Sequence, residues 1–353
     1  MIEHLSATVA DGVGHVTLNR PNALNALSYD MVVALTEVFE AWRHDSEVGL
    51  VVLDGAGERG FCAGGDIREL RSFIAEGRIG DAQTFFRTEY RLDRAIARYP
   101  KPVVAILDGI TMGGGIGLAG HASIRIVTER SRLAMPETRI GFTPDVGGTW
   151  LLANAPGELG VHLALNSRTM DAADAIHAGF ADYFVPSERL PHLLQALGER
   201  ADPGTPSEIA LLFDETPDAS ALARDRSWVD DCYSAPTVAE ILARLRALAD
   251  DGHEAAAAAA SELDGLSPTA LTVTLAAVRR ARTLASLEDA LEQEFRTVSW
   301  FLEQPDLLEG IRAQVIDKDR DPTWRPASLA DLPADLGDRV LDTVVEPGVF
   351  DRG

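Results

Sequence analysis

Two glycine-rich stretches, Phe61-Cys62-Ala63-Gly64-Gly65-Asp66-Ile67 and Met112-Gly113-Gly114-Gly115-Ile116-Gly117, hold the residues whose types and spacing point most directly to chemistry. Backbone without side chains lets amide N–H groups approach a ligand oxygen closely, and two such stretches can aim two donors at one carbonyl. An ester or thioester carbonyl gains negative charge on oxygen when a nucleophile adds or an α-proton leaves, and removing one donor from such a hole costs about 3 kcal/mol. The two donors are placed at the amides of Gly65 and Gly114. Downstream, Glu137 in Ala134-Met135-Pro136-Glu137 and Asp145 in Phe142-Thr143-Pro144-Asp145-Val146-Gly147-Gly148 lie at the edges of apolar segments. Pro136 biases Met135 toward extended backbone and predicts a strand ending at Glu137. A carboxylate there can act as general base or nucleophile. Plainer readings exist for each feature: a tight turn for either glycine run, a solvated charge for Glu137, and a helix N-cap for Asp145. The paired occurrence of the glycine runs, each just after an apolar strand, is what makes them specific.

Other motifs carry less. Gly115-Ile116-Gly117-Leu118-Ala119-Gly120 fits G-x-G-x-x-G, but a dinucleotide turn follows its strand at once, whereas Asp108 to Gly114 intervene after Leu107. His121 has no orienting partner nearby, and Cys62 reads as a small packed thiol. No G-x-S-x-G, H-E-x-x-H or Walker A sequence is present.

Alternating strands and helices must position the glycine turns. The β-branched runs His15–Asn19, Leu50–Leu53, Pro102–Leu107 and Ile124–Val127 predict strands, and the periodicity of Ser28–Trp42 and Gln83–Arg98 predicts helices. That order implies an α/β core. From about Pro186 the chain turns to alanine- and leucine-rich helices, with Ala255–Ala260 predicted as part of a surface helix. Two regions follow, a core over 1–200 and a helical region over 201–353. The acidic tail from Leu332 is weakly patterned and gives little support for order.

The net charge of −23 and pI near 4.7 oppose a nucleic acid or anionic membrane as the main partner. Two cysteines, Cys62 and Cys232, without CxxC or Cys/His spacing, support neither a disulfide framework nor a metal site. No basic leader runs into a long apolar stretch, so a soluble, cytoplasmic protein is expected.

Taken together, these residues resemble the crotonase (enoyl-CoA hydratase/isomerase) superfamily, and within it the 3-hydroxyisobutyryl-CoA hydrolase branch. The superfamily signals are Leu18-Asn19-Arg20-Pro21-Asn22-Ala23-Leu24-Asn25-Ala26-Leu27 and the two glycine turns. The branch signals are Phe85–Tyr90, Gly109–Gly115, Met135–Glu137, Phe142–Gly148, Ser267–Thr269 and Glu309–Ala313 running to Ile316-Asp317-Lys318-Asp319. The resemblance implies a spiral core of repeated ββα units followed by a helical C-terminal region. It implies acyl-CoA substrates and no cofactor beyond their coenzyme A moiety. It places the thioester oxygen on the Gly65 and Gly114 amides, substrate on Glu89, Gly114, Glu137 and Asp145, and the adenine and pantetheine path along Asn22, Ala23, Leu24, Asp66, Ile67 and Arg68. Enoyl-CoA hydratases carry a second catalytic glutamate three residues after the oxyanion glycine, where this chain has Gly117. The expected activity is therefore hydrolysis of a short-chain 3-hydroxyacyl-CoA, with hydratase/isomerase as the alternative and a non-catalytic binding protein as a remote one. Superfamily members commonly form trimers or pairs of trimers, which leaves a homo-oligomer open.

Overall fold

In the computed structural model, which describes residues 4–199 and 205–350, nine strands form two sheets. The strands are β1 (Leu5–Ala10), β2 (Val13–Leu18), β3 (Leu50–Gly55), β4 (Gly60–Cys62), β5 (Val103–Leu107), β6 (Ile110–Met112), β7 (Ile124–Val127), β8 (Arg132–Ala134) and β9 (Tyr183–Phe184). Six make one sheet in the order β1-β2-β3-β5-β7-β9, and three make a smaller one in the order β4-β6-β8. Among these nine strands only β1 and β2 pair antiparallel. Each successive pair, β3/β4, β5/β6 and β7/β8, sends its first strand to the large sheet and its second to the small one. That is the ββα repeat the resemblance implied.

The four strands expected from β-branched runs occur with small differences at their ends, as do the helices Tyr29–Arg43 and Ile79–Ala97. The structure adds β4, β6 and β8, of three residues each, too short to carry a period of two. It also adds β1, whose residues after Leu5 are all exposed and so show no alternation.

The chain groups into two compact units, neither a single stretch: Met1–Asp66 with Thr88–Ala134 and Thr169–Ala221, and Ile67–Arg87 with Met135–Arg168 and Leu222–Gly353. The division falls inside the helix Ile79–Ala97. The first unit contains both sheets. Leu50, Val52, Val104, Ile106, Ile124 and Ile126 pack on Leu190, Leu193 and Leu197 of the helix Leu190–Gly198 and on Ala210. The intervening residues Val51, Leu53, Val103, Ala105 and Leu107 are also buried, so these strands are covered on both faces, which explains their unbroken apolar runs. Burying each such side chain is worth about 1.5–3 kcal/mol.

The second unit is helical. In the helix Glu254–Asp264 the buried residues Ala256, Ala259, Ala260 and Leu263 form one stripe at helical spacing, and most of the other alanines face solvent. The tail is better ordered than its pattern suggested. Leu336, Val340 and Leu341 of the helix Leu336–Leu341 are buried, and Arg87 donates to the carbonyls of Pro347 (2.9 Å) and Gly348 (3.1 Å). The Phe350 amide donates to Glu292 (2.8 Å). One short stripe and bonds to distant side chains hold this segment, and neither leaves a periodic trace.

Candidate active site

Strands β4 and β6 are parallel neighbours, so the chain leaves both at the same end of the small sheet, and the glycine turns that follow them emerge side by side. The first turn is held from the segment before it: Ala63 N–H donates to Leu24 O (2.9 Å), Leu27 N–H to Gly64 O (2.9 Å) and Asp66 N–H to Leu27 O (2.7 Å). The second begins at Gly113, whose φ of 48° turns β6 into the helix Gly114–Gly120, with Gly113 N–H on Ala134 O (3.2 Å). These bonds engage the amides of Ala63, Asp66 and Gly113, and Gly64 N–H meets Cys62 Sγ (3.4 Å). The amides of Gly65 and Gly114 have no acceptor among the described residues, the condition for two donors reserved for a ligand oxygen.

Closeness explains why position 114 is glycine. A Cβ there would lie 3.2 Å from Gly65 N and 2.5 Å from Glu89 Oε1. The same distances bring three predicted residues, Gly65, Gly114 and Glu89, together within the first unit. Glu89 is 2% exposed, and it comes from the helix Ile79–Ala97 rather than from either turn.

Asn25, which in the sequence stands out only as part of the motif Leu18–Leu27, staples this site. Fully buried and at a φ of 55°, it accepts from Arg20 N–H (2.9 Å) and donates to Ala56 O (3.0 Å) and Gly60 O (3.1 Å). Asparagine tolerates that left-handed backbone better than most residues and can use both ends of its amide. The Asn25 backbone carbonyl accepts from Cys62 Sγ (3.3 Å), and burial pushes that thiol up to about 12. A thiol held neutral and engaged in packing is no nucleophile. Asn22 and Ala23 lie in the 3-10 turn Pro21–Ala23, and Leu24 follows it, hydrogen-bonded to the first glycine turn. The Asp66 carboxylate pairs with Arg20 (2.7 Å), and Ile67 and Arg68 open the helix Ile67–Ala75 of the second unit.

In the second unit the predicted strand end at Glu137 is corrected: β8 stops at Ala134, and Glu137 opens the 3-10 turn Glu137–Ile140. Thr138 Oγ1 anchors that turn on Ser167 Oγ (2.6 Å). Gly310 supports it from below, where a Cβ would sit 2.3 Å from Ile140 backbone, which accounts for the glycine in Glu309-Gly310-Ile311. Glu137 is buried, and its Oε2 has no hydrogen-bond partner among the described residues. Desolvation first, then the charges of Asp145 and Glu294, holds its carboxyl well above the usual carboxylate range.

Asp145 is buried beside Val146, a β-branched residue at φ 54°, a strained backbone of the kind that collects at functional sites. It does not cap the helix Gly148–Asn154. That role falls to Glu294, unpredicted, whose Oε2 accepts from Gly147 N–H (2.7 Å) and whose Oε1 accepts from Thr149 N–H (2.8 Å) and Thr149 Oγ1 (2.5 Å). A sequence signal for it exists: Glu294 lies in the apolar stripe Leu287, Leu291, Val298, Phe301 of its helix, where an acid is out of place.

Burial raises the Glu294 carboxyl to about 8 despite these three donors. A folded-state value above the unfolded one means that the native protein holds a proton the unfolded chain has released. Stability from this group is therefore complete below the ordinary glutamate value of 4.5 and is lost as pH rises toward about 8. We expect thermal melting to show this decline, at up to about 1.4 kcal/mol per pH unit, and the decline to flatten in Glu294→Gln. An equal slope in the variant would assign the effect to another group.

Among the described residues no helix is long and apolar enough to cross a membrane, and no three His, Cys, Asp or Glu side chains are grouped to hold a metal.

A family model described as enoyl-CoA hydratase/isomerase matches residues 13–341. A curated mitochondrial 3-hydroxyisobutyryl-CoA hydrolase of Gallus gallus is 38% identical over 95% of this chain and 87% of its own length. One of Rattus norvegicus is 40% identical over 90% and 83%. Among solved structures, a carnitinyl-CoA dehydratase from Mycobacterium thermoresistibile superposes with a TM-score of 0.93 at 44% identity, covering 99% of both chains. An enoyl-CoA hydratase from Rhodobacter sphaeroides 2.4.1 gives 0.91 at 40% identity, covering 99% of this chain and 100% of its own. The cytoplasmic location expected from the lack of a basic leader and of a long apolar stretch is corrected by the curated relatives, which are named as mitochondrial.

Proposed function

Because the chain belongs to the enoyl-CoA hydratase/isomerase family, we propose that it hydrolyses a short-chain 3-hydroxyacyl-CoA, with 3-hydroxyisobutyryl-CoA of valine breakdown as its substrate. The amides of Gly65 and Gly114 take the thioester oxygen, and Glu89 accepts a hydrogen bond from the 3-hydroxyl. Ionised Glu137 attacks the thioester carbon, the C–S bond breaks with its electron pair leaving on sulfur, and water opens the resulting anhydride, its oxygen going to the acyl group, one proton to the thiolate, and the Glu137 carboxylate being regenerated. Activation of water by Glu137 is the variant of the same route. Asp145 orients the water or the hydroxyl. Water and the thioester are the only reactants.

One observation carries the choice of hydrolysis. The helix Gly114–Gly120 contains only glycine, alanine, isoleucine and leucine, so it offers no carboxylate where a hydratase uses its second one. A specific observation also keeps the hydratase reading in view: the buried Glu89 brings a carboxylate to Gly114 from a different helix. Short-chain acyl-CoAs with and without a 3-hydroxyl separate the two. Thiol release, followed with a thiol-reactive dye, is expected to be fastest with 3-hydroxyisobutyryl-CoA. Loss of crotonyl-CoA absorbance outrunning thiol release from every thioester would establish the hydratase instead.

A further inference from the structure

Glu294 is a buried acid to which the steps proposed above give no part. It is as enclosed as the apolar residues of its own helix, and its three donors all come from Gly147 and Thr149, directly after Asp145-Val146.

The turn at Asp145 is one that its own sequence disfavours. Gly148 N–H donates to Asp145 O (2.6 Å), and the two residues spanned, Val146 and Gly147, both have left-handed backbone, at φ 54° and 76°. Glycine adopts this readily, whereas valine, branched at Cβ, is held there only where the surroundings over-determine it. Glu294 supplies that constraint from a distant part of the chain. One oxygen holds the Gly147 amide inside the turn, and the other holds the amide and hydroxyl of Thr149 just beyond it. The residues around Glu294 fix its helix in turn. Gln293 Nε2 donates to Ala277 O (3.1 Å), Glu292 accepts from the Phe350 amide (2.8 Å), and the Arg87 guanidinium lies 4.8 Å from the centre of the Phe295 ring.

The turn leads to the chemistry through Asp145, whose charge acts on Glu137 more strongly than that of Glu294. We propose that Glu294 is a positioning residue of the reaction: by gripping Gly147 and Thr149 it sets where the Asp145 carboxylate stands relative to Glu137. The inference rests on the hydrolase reading above, in which Asp145 orients the water or the substrate hydroxyl.

Glu294→Gln keeps the size of the side chain but turns one oxygen into an NH2 group. Whichever way that amide lies, the NH2 meets a backbone N–H, that of Gly147 or of Thr149, and one side of the turn is released. On the alkaline plateau, where Glu137 is ionised in every enzyme compared, kcat is expected to fall about 10- to 100-fold, the scale on which a group near the chemistry acts when misplaced by about 1 Å. KM should move far less. A cycle with Asp145→Asn separates positioning from mere support. Once Asp145 has lost its carboxylate, adding Glu294→Gln should lower kcat by no more than about twofold, whereas independent effects multiply. Full kcat in Glu294→Gln overturns the proposal, and so does a loss of the same factor in both backgrounds. Should glutamine at 294 prevent folding, Thr149→Val removes one donor and keeps both amides. Its kcat is expected to fall severalfold and to return in Thr149→Ser; full kcat in Thr149→Val also overturns the proposal. A further readout needs no turnover: amide hydrogen exchange over Thr143–Trp150, followed by peptide mass spectrometry, should quicken in Glu294→Gln, and unchanged exchange shows that the turn is held without it. If the wild type cleaves no thioester, the hydrolase reading fails by itself, while the exchange still decides whether Glu294 holds the turn.

Discussion

Glu137→Gln is expected to reduce thiol release from 3-hydroxyisobutyryl-CoA by about three to four orders of magnitude, the upper range for loss of a catalytic base or nucleophile. The substitution keeps the shape of a side chain that is 7% exposed, so packing changes little, while the amide can neither attack the carbonyl nor accept a proton from water. Wild-type activity should depend on pH in a defined sense. The carboxylate form is the active one, and burial together with Asp145 and Glu294 raises the pKa, so kcat/KM climbs with pH through a limb displaced upward from an ordinary glutamate. Removing one neighbouring charge with Asp145→Asn moves that limb to lower pH. Ionising a buried carboxyl costs free energy, so Glu137→Gln should melt no lower than the wild type in alkaline buffer, which separates lost chemistry from a lost fold. Thiol release by the variant at more than about a tenth of the wild-type rate would strike Glu137 from the mechanism.

The parts of this molecule that could be read from its residues are those whose cause is local. Leu50–Leu53 and Pro102–Leu107 announce strands because β-branched residues buried on both faces leave an apolar run. The two glycine turns were legible as a pair from their composition and from the apolar strands upstream of each, but each directly follows a three-residue strand, β4 or β6, too short to be read from the sequence, and it is the parallel pairing of those two that brings the turns side by side. What escaped depends on residues far apart in the chain. Glu294 meets Gly147 and Thr149 only after the helix Leu287–Phe301 has packed, so the local sequence offers Asp145 as one possible cap and nothing that points to Glu294 in that role. Gly310 is required by the backbone of Ile140, a constraint invisible from either segment alone. Asn25 stood in plain view inside a motif, but its three hydrogen bonds need the Gly60 strand and the Arg20 amide already in place. The expected location failed for a different reason: it was read from the lack of a recognisable leader or long apolar run, and that lack does not specify a compartment.

The second large effect expected is that of Gly114→Ala, a single methyl group at the first residue of a helix. By propensity alone the change is favourable, since alanine is the better helix former by about 1 kcal/mol. Geometry opposes it, for the new Cβ would stand 2.5 Å from Glu89 Oε1 and 3.2 Å from Gly65 N. To make room, the Glu89 carboxylate and the first glycine turn must move apart, which displaces the substrate hydroxyl's acceptor and misaligns the two amides. Loss of one aligned donor in an oxyanion hole lowers kcat by about 100- to 1,000-fold, and we expect a fall of that size in kcat. KM should change far less, because the amides bind the ground-state carbonyl more weakly than the charge that develops on it. Glu89→Gln gives the internal control: it removes the carboxylate charge facing Gly114 while leaving both amides in position. If its loss falls mainly on substrates bearing a 3-hydroxyl, while Gly114→Ala damages turnover of all thioesters alike, the amides act on the carbonyl and Glu89 on the hydroxyl. A Gly114→Ala enzyme that retains full kcat on any of these thioesters would show that the carbonyl oxygen is held elsewhere.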